Sequence, residues 1–169
     1  MLFVGPSAVQ AQSFSIHGSG GPTITNSGYS VAAGVGVAAT SHLTFDFNVE
    51  RTHLSTQITR DAPSVISGFR GGTLTLGTAQ LRVSLFDSNR VGPYGVVGFA
   101  AGVSRPNVNE IFPIPITNDV RTMFFGGGLH APLTDRVSAF ADLRMMFGAE
   151  GIEGIVAVAP LRAGLALRF

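Results

Sequence analysis

The chain has 169 residues, of which 45% are hydrophobic and 12% charged, with a formal net charge of +1. A soluble globular domain carries about 25% charged residues, so much of an ordinary water-facing surface is missing. The length suits one domain, the lack of any arginine cluster argues against nucleic-acid binding, and the absence of cysteine excludes disulfides and thiolate metal sites.

The first eleven residues are typical of an export signal. They begin apolar, carry no charge and end in Val9-Gln10-Ala11, the small-x-small pattern that signal peptidase recognises. The basic and most of the apolar regions of a complete signal are absent. We therefore predict that residues 1–11 are the remnant of a signal peptide and that the folded domain spans residues 12–169. The alternative is a short first strand.

Eight segments follow, each alternating apolar with other residues and separated by turn-forming Gly, Pro, Asn, Asp and Ser. The predicted strands are Ser13–Ser19, Tyr29–Ala39, Leu43–His53, Thr73–Phe86, Tyr94–Ser104, Val120–Leu133, Val137–Gly148 and Ile155–Phe169. Pro160 lies inside the last strand and cannot donate a ladder hydrogen bond, so we expect a β-bulge there, near the outer rim.

The connections between these strands alternate in length. The longer ones are Gly20–Gly28, Ser55–Gly72, Arg105–Asp119 and Ala149–Gly154, and the shorter ones are Thr40–His42, Asp87–Pro93 and Thr134–Arg136. No stretch reaches the roughly 18 apolar residues of a membrane-spanning helix. Because only helices and closed sheets satisfy the backbone in lipid, the pattern predicts an all-β fold, a closed eight-stranded antiparallel transmembrane β-barrel with up-and-down meander topology. Both termini are expected on the periplasmic side of a bacterial outer membrane.

The two faces of the third strand differ sharply. Leu43, Phe45, Phe47 and Val49 share one face, and Thr44, Asp46, Asn48 and Glu50 share the other. On the other strands the second face is mostly small residues with a few charges. Such a face suits the narrow lumen of an eight-stranded barrel, whereas a soluble barrel would cover it with Lys and Glu. A soluble lipocalin-like ligand-binding barrel is the alternative.

The charged residues of the second face are predicted to pair inside the lumen, since unpaired ions out of water are costly. Arg82 is expected to bridge Asp46 and Glu50 from the adjacent strand. Arg162 is expected near the level of Asp142 and Arg144 on the strand before it. These six residues form the predicted structural charge network.

From Ser13 to Phe169 the chain resembles the small OmpA-like and OmpX-like outer-membrane barrels. The likeness rests on the strand number, the alternating loops and a closing segment with apolar residues at alternate positions before a final phenylalanine: Leu161, Ala163, Leu165, Leu167 and Phe169. The resemblance implies that these five positions are an assembly signal read by the barrel-assembly machinery.

Four histidines are present, but His17, His42, His53 and His130 show no metal-site spacing. We therefore expect no metal and no cofactor, with His17 and His130 as polar residues of the lumen and His42 in a periplasmic turn. Some outer-membrane barrels are lipid A deacylases or proteases, and the one cluster here that merits a test is His53 with Ser55 and Glu50. Nothing supplies the third, orienting part of a triad, so no catalytic site is expected.

The predicted loop Arg105–Asp119 carries an apolar, proline-stiffened stretch. Its candidate contact residues are Ile111, Phe112, Ile114 and Ile116. Apolar residues exposed among polar ones mark contact surfaces, although this stretch also suits a loop folded over the barrel mouth. The sequence thus favours a structural or adhesion-type outer-membrane barrel with a filled lumen, contacting membrane lipid and lipopolysaccharide and an extracellular partner of unknown identity. A barrel enzyme acting on lipid A or peptides is the alternative.

Overall fold

A computed structural model describes residues 13–24, 27–62, 65–69, 71–87, 89–108, 114, 117–147 and 157–169. Residues 1–11, the predicted signal remnant, lie outside this part of the chain, as do Ile111, Phe112 and Ile116 of the predicted contact loop. The described strands are β1 Phe14–Thr23, β2 Gly28–Ala38, β3 Leu43–Leu54, β4 Gln57–Ala62, β5 Val65–Phe69, β6 Gly72–Ser84, β7 Gly92–Pro106, β8 Asn118–Pro132, β9 Val137–Phe147, β10 Ala157–Val158 and β11 Leu161–Arg168.

Eight long strands form a closed antiparallel barrel. They pair in the order β1, β2, β3, β6, β7, β8, β9, β11, and β11 pairs with β1 to close the sheet. Each strand therefore lies beside its neighbours along the chain, and the predicted up-and-down barrel is confirmed. The structure adds one feature that the sequence pattern did not predict, a separate hairpin of strands β4 and β5 in the connection from β3 to β6. The short strand β10 falls within the predicted last strand, Ile155–Phe169, and pairs with the end of β9.

The barrel has two distinct ends. The loop rim is the end where residues 24–27, 55–71 and 107–117 connect strands, and the turn rim is the end with the short connections 39–42, 85–91 and 133–136. Phe14 and Phe169 lie together at the turn rim, with ring centroids 6.1 Å apart. Both ends of the barrel sheet are therefore on the same side.

Strand β3 shows how the sequence sets inside and outside. The side chains of Phe47 and Val49 are exposed on the outer wall, at 53% and 65%, whereas Asp46 and Glu50 are almost completely buried. Because side chains alternate along a strand, apolar residues cover the outside and polar residues fill the lumen, as the alternation predicted.

Near the loop rim this chemistry is reversed. Inside the barrel, eight apolar residues pack together: Leu54, Leu74, Leu76, Ala100, Val120, Phe124, Met146 and Val158. On the outside of β6 at the same level, Thr73 and Thr75 replace the apolar residues found further down. The alternation predicted a lumen of mostly small residues with a few charges, whereas this end of the lumen contains large apolar side chains.

The bulge expected at Pro160 is also wrong. Val158 pairs with Met146 and Leu161 pairs with Leu143, so the register of the last strands against β9 continues without a shift. The carbonyl of Pro160 still accepts a hydrogen bond from the backbone N–H of Arg144 at 3.2 Å. The strand loses one donor at the proline but not its alignment, because an antiparallel pair tolerates a single missing bond.

Among the described residues, no helix is long and apolar enough to cross a membrane.

Glycine is required at lumen positions where strands curve tightly. A Cβ added at Gly128 would collide with the backbone carbonyl of Ala141 and with Asp142, whereas a Cβ at Gly95, on the outer wall, would meet its nearest atom at 4.0 Å. Overpacking of this kind costs about 1–3 kcal/mol. We predict that Gly128→Ala lowers the free energy of unfolding by this amount in a urea titration of the detergent-folded protein, while Gly95→Ala changes it little. Equal stability of the two variants would contradict the tight lumen.

Candidate functional site: an ionic network across the barrel lumen

Six charged side chains lie inside the barrel, three acidic and three basic. They come from four strands and are the residues predicted from the alternation: Asp46 and Glu50 on β3, Arg82 on β6, Asp142 and Arg144 on β9, and Arg162 on β11. All but Arg82 are buried, with at most 3% of each residue exposed. Their charges cancel, which is what burial of ions in a narrow space requires.

Arg162 is the centre of this network. Its Nη1 donates to Glu50 Oε2 at 3.1 Å, and its Nη2 and Nε donate to Asp142 Oδ1 at 3.0 and 3.1 Å. Glu50 and Asp142 lie on β3 and β9, and β11 is separated from β3 by β1 and β2. The planar guanidinium therefore spans the lumen and ties two sides of the barrel together.

Three residues donate hydrogen bonds to Asp142. Besides Arg162, it accepts hydrogen bonds from Arg144 Nε at 3.2 Å and from the hydroxyl of Tyr94 at 3.1 Å. The guanidinium of Arg144 also lies 5.3 Å from the ring centre of Phe124, at the lower edge of the apolar residues near the loop rim. This cation–π contact joins the ionic part of the lumen to the apolar part.

The hydrogen bonds to Glu50 are completed by hydroxyl groups. Ser30 on β2 and Thr52 on β3 donate to Oε1 at 2.8 and 3.2 Å, while Arg162 occupies Oε2. Both oxygens of this fully buried carboxylate are thus bonded. Ser30, Thr52 and Tyr94 were not predicted as part of the network, although the alternation of residues places them on the inner face.

Arg82 belongs to a second group, closer to the turn rim. It lies 3.2 Å from Asp46 Oδ1, and the amide of Gln80 donates to Asp46 Oδ2 at 2.9 Å. The expected bridge from Arg82 to Glu50 is wrong. Arg82 is paired with Thr44, whereas Glu50 is paired with Leu76, six residues further along β6. At about 3.3 Å per residue this separation is far beyond the reach of one side chain.

The histidines occupy separate places. In the lumen, His17 Nε2 lies 2.6 Å from Asn48 Oδ1, and Asn48 in turn donates to Thr78. His130 lines a small polar cavity at the turn rim, and His42 lies in an exposed turn 3.6 Å from Asp87. No group of three possible metal ligands occurs within the described ranges.

The candidate cluster of His53, Ser55 and Glu50 is not brought together. Glu50 points into the lumen, but His53 is on the outer face, where its ring lies 5.5 Å from that of Tyr29 and its Nδ1 is 3.4 Å from the Thr73 hydroxyl. The cause is parity: residues 50 and 53 are an odd number of positions apart along one strand, so they face opposite sides of the sheet.

The remaining predicted residues that the structure describes lie on the outer surface. Four of the five assembly-signal positions are large apolar residues exposed on the outer wall of β11 or at its end: Leu161, Leu165, Leu167 and Phe169. Ala163 shares their face. In the predicted contact loop, Ile114 is described and is 68% exposed.

Solved outer-membrane barrels share this fold at low sequence identity. The N-terminal β-barrel domain of Pseudomonas aeruginosa OprF matches with a TM-score of 0.64 and 16% identity, over 93% of this chain and 97% of that chain. Neisserial surface protein A matches with a TM-score of 0.60 and 16% identity, over 94% and 95%. Ail, the attachment invasion locus protein of Yersinia pestis, in complex with the heparin analogue sucrose octasulfate, matches with 0.54 and 14%, over 94% and 97%.

No protein-family model matches the chain, and no curated protein matches it in sequence. The structural matches nevertheless show that the chain has the fold of the small outer-membrane barrels, as its resemblance to the OmpA-like and OmpX-like barrels implied.

Removing the central cation should destabilise the barrel strongly. Arg162→Ala leaves two buried carboxylates without their shared partner, a change that costs about 3–5 kcal/mol in other proteins. Arg82 is partly exposed and has one carboxylate partner, so Arg82→Ala is expected to cost about 1 kcal/mol. Urea unfolding in phospholipid vesicles measures both values.

The matched control is Arg136→Ala, an exposed arginine in a turn, which is expected to change stability by less than about 0.5 kcal/mol. Arg162→Lys keeps the charge but loses the planar two-sided contact, and should lie between the control and Arg162→Ala. If Arg162→Ala and Arg136→Ala unfold at the same urea concentration, the network does not hold the barrel together.

Proposed function

We propose that this protein is a bacterial outer-membrane barrel that stabilises the envelope or binds partners through its loop rim. The observation that carries the proposal is the inverted arrangement of the wall: apolar side chains outside, ion pairs inside. The twelve residues of β3 extend about 40 Å along the strand, and at a tilt of about 40° they cross the roughly 25 Å apolar band of such membranes.

The filled lumen supports a structural or binding role over a transport role. From the turn rim upward the interior contains the Arg82 group, then the Arg162 network, then the cluster of eight apolar residues. Eight-stranded barrels are just wide enough for side chains to fill them. The proposal therefore includes little or no conductance through the barrel.

Adhesion through the loop rim is supported by two observations. Ile114 is exposed in the connection between β7 and β8, and the fold is shared with an attachment invasion locus protein that was solved with a heparin analogue. The proposal places the loop rim outside the cell and the turn rim, with both ends of the barrel sheet, in the periplasm. The exposed apolar residues of β11 are then available to the barrel-assembly machinery.

The proposal does not include catalysis. The candidate hydrolase cluster is divided between the two faces of β3, with Glu50 already bonded to Arg162, Ser30 and Thr52. A general base and an acid must lie within hydrogen-bond reach to activate a nucleophile, and these do not.

Expression with a complete signal peptide tests the proposed location. The protein should be recovered in the outer-membrane fraction, and on electrophoresis the unheated sample should migrate differently from the boiled one, because a closed barrel resists detergent at room temperature. The soluble-barrel alternative instead requires a protein that stays monodisperse without detergent. Recovery as soluble cytosolic or periplasmic protein would overturn the proposal.

A further inference from the structure

The outer wall of the barrel carries charge at one place only within the described strands. The outward-facing charged side chains are Arg51 on β3, Arg105 on β7, and Asp119 and Arg121 on β8. Each lies within four residues of the end of its strand at the loop rim. All are on the side of the barrel formed by β3, β6, β7 and β8, and together they carry a net charge of +2.

The pairing register brings these residues to neighbouring positions. Arg51 and Asp119 lie on one row, connected through Thr75 and Val103. Arg121 is one outward-facing position below that row and Arg105 one above it. With strands about 4.8 Å apart, Arg51 and Arg121 are separated by about 16 Å, so two extended arginine side chains can both contact one phosphate lying between them.

The three outward-facing arginines, Arg51, Arg105 and Arg121, form no ion pair with the part of the chain that the structure describes. No described carboxylate lies within 4.0 Å of the guanidinium of Arg51, Arg105 or Arg121, in contrast to Arg82, Arg144 and Arg162 in the lumen. Within the described residues, their donors are therefore not taken up by a carboxylate. A cation on the lipid face is costly at mid-membrane and tolerated near the interface, where it meets charged head groups.

A depression of about 780 Å³ lies beside Arg121 on the same outer wall, and Arg121 is one of its lining residues. Its floor consists of residues with little or no side chain, Gly77, Ala79 and Ala101, and its edges are larger apolar residues: Phe99, Met123 and Phe147. Arg121 lies at one edge, on the same row as Ala101 and Gly77, and Ala79 lies one outward-facing position nearer the turn rim. A groove with an apolar floor and a cation at its edge matches a molecule with an acyl chain and an anionic head.

We propose that this groove and the arginines beside it bind a phosphate-bearing acyl lipid of the outer leaflet, with the phosphate on Arg121 and Arg51 and one acyl chain along Gly77, Ala79 and Ala101. The inference rests on the proposed outer-membrane location. A second copy of the chain is a poor occupant, because two such faces would bring like charges together. Free phosphate would use the arginines but not the groove.

Lipid binding by the folded, detergent-solubilised protein tests this site. Native mass spectrometry gives the dissociation constant for hexa-acylated diphosphoryl lipid A. Each arginine near an anionic lipid surface contributes about fivefold in affinity, so Arg51→Gln with Arg121→Gln should weaken binding by about 25-fold. The matched control, Arg90→Gln with Arg136→Gln, removes two exposed arginines near the turn rim and should change affinity less than twofold.

Two further measurements separate the possible occupants. Ala101→Phe fills the groove without changing charge and should weaken lipid A binding about tenfold or more, while inorganic phosphate alone should not displace the lipid. If phosphate competes and Ala101→Phe has no effect, the site binds a free anion and the inference is overturned. If the wild type forms dimers that Ala101→Phe dissociates, the occupant is a second copy and the inference is again overturned.

The same preparation distinguishes failure of the inference from failure of the proposed function. Equal lipid affinity of the wild type and the Arg51/Arg121 variant, in protein that shows the heat-dependent migration of a folded barrel, overturns the lipid site alone. Protein that stays soluble and monodisperse without detergent overturns both.

Discussion

Arg162 joins carboxylates from two different strands inside the barrel, where all three side chains are almost completely buried. Glu50 and Asp142 approach it from β3 and β9, and hydroxyl groups from Ser30, Thr52 and Tyr94 complete their hydrogen bonds. Buried ions are tolerated only when each is paired and bonded in this way. The constraint acts on the whole barrel, because every strand around the network must keep its register for these atoms to meet.

The outer wall is the counterpart of this interior. Since the charged groups are turned inward, the outside of most strands is apolar, and the chain carries half the usual share of charged residues. Near the loop rim the order reverses: Leu74 and Leu76 point inward, while Thr73 and Thr75 point outward. In the proposed outer-membrane location, this reversal and the arginines on the same level lie where the wall leaves hydrocarbon and meets head groups and water.

Much of this arrangement can be predicted from the alternation of residues, because side-chain direction in a strand follows parity alone. Parity places Asp46 inside and His53 outside. The grouping of His53 with Glu50 overlooked this, because residues of opposite parity face opposite sides of the sheet. The contact from Arg162 to Glu50 was not predictable in this way, since it crosses the lumen between strands that are not neighbours. The predicted bridge from Arg82 to Asp46 forms, but the one to Glu50 does not, because the register of β6 against β3 separates the two residues by six positions. The β4–β5 hairpin was missed because its residues lack strict alternation.

The central claim is that the face with the ion pairs is the lumen and the face with Phe47 and Val49 meets lipid. The chain contains no cysteine, so single spin labels can be placed at Phe47, Asn48 and Val49 without removing native thiols. In phospholipid vesicles, oxygen dissolved in the lipid should relax the labels at 47 and 49 strongly and the label at 48 weakly. Equal relaxation at the three positions, or access of a water-soluble nickel complex to 47 and 49, would contradict the account.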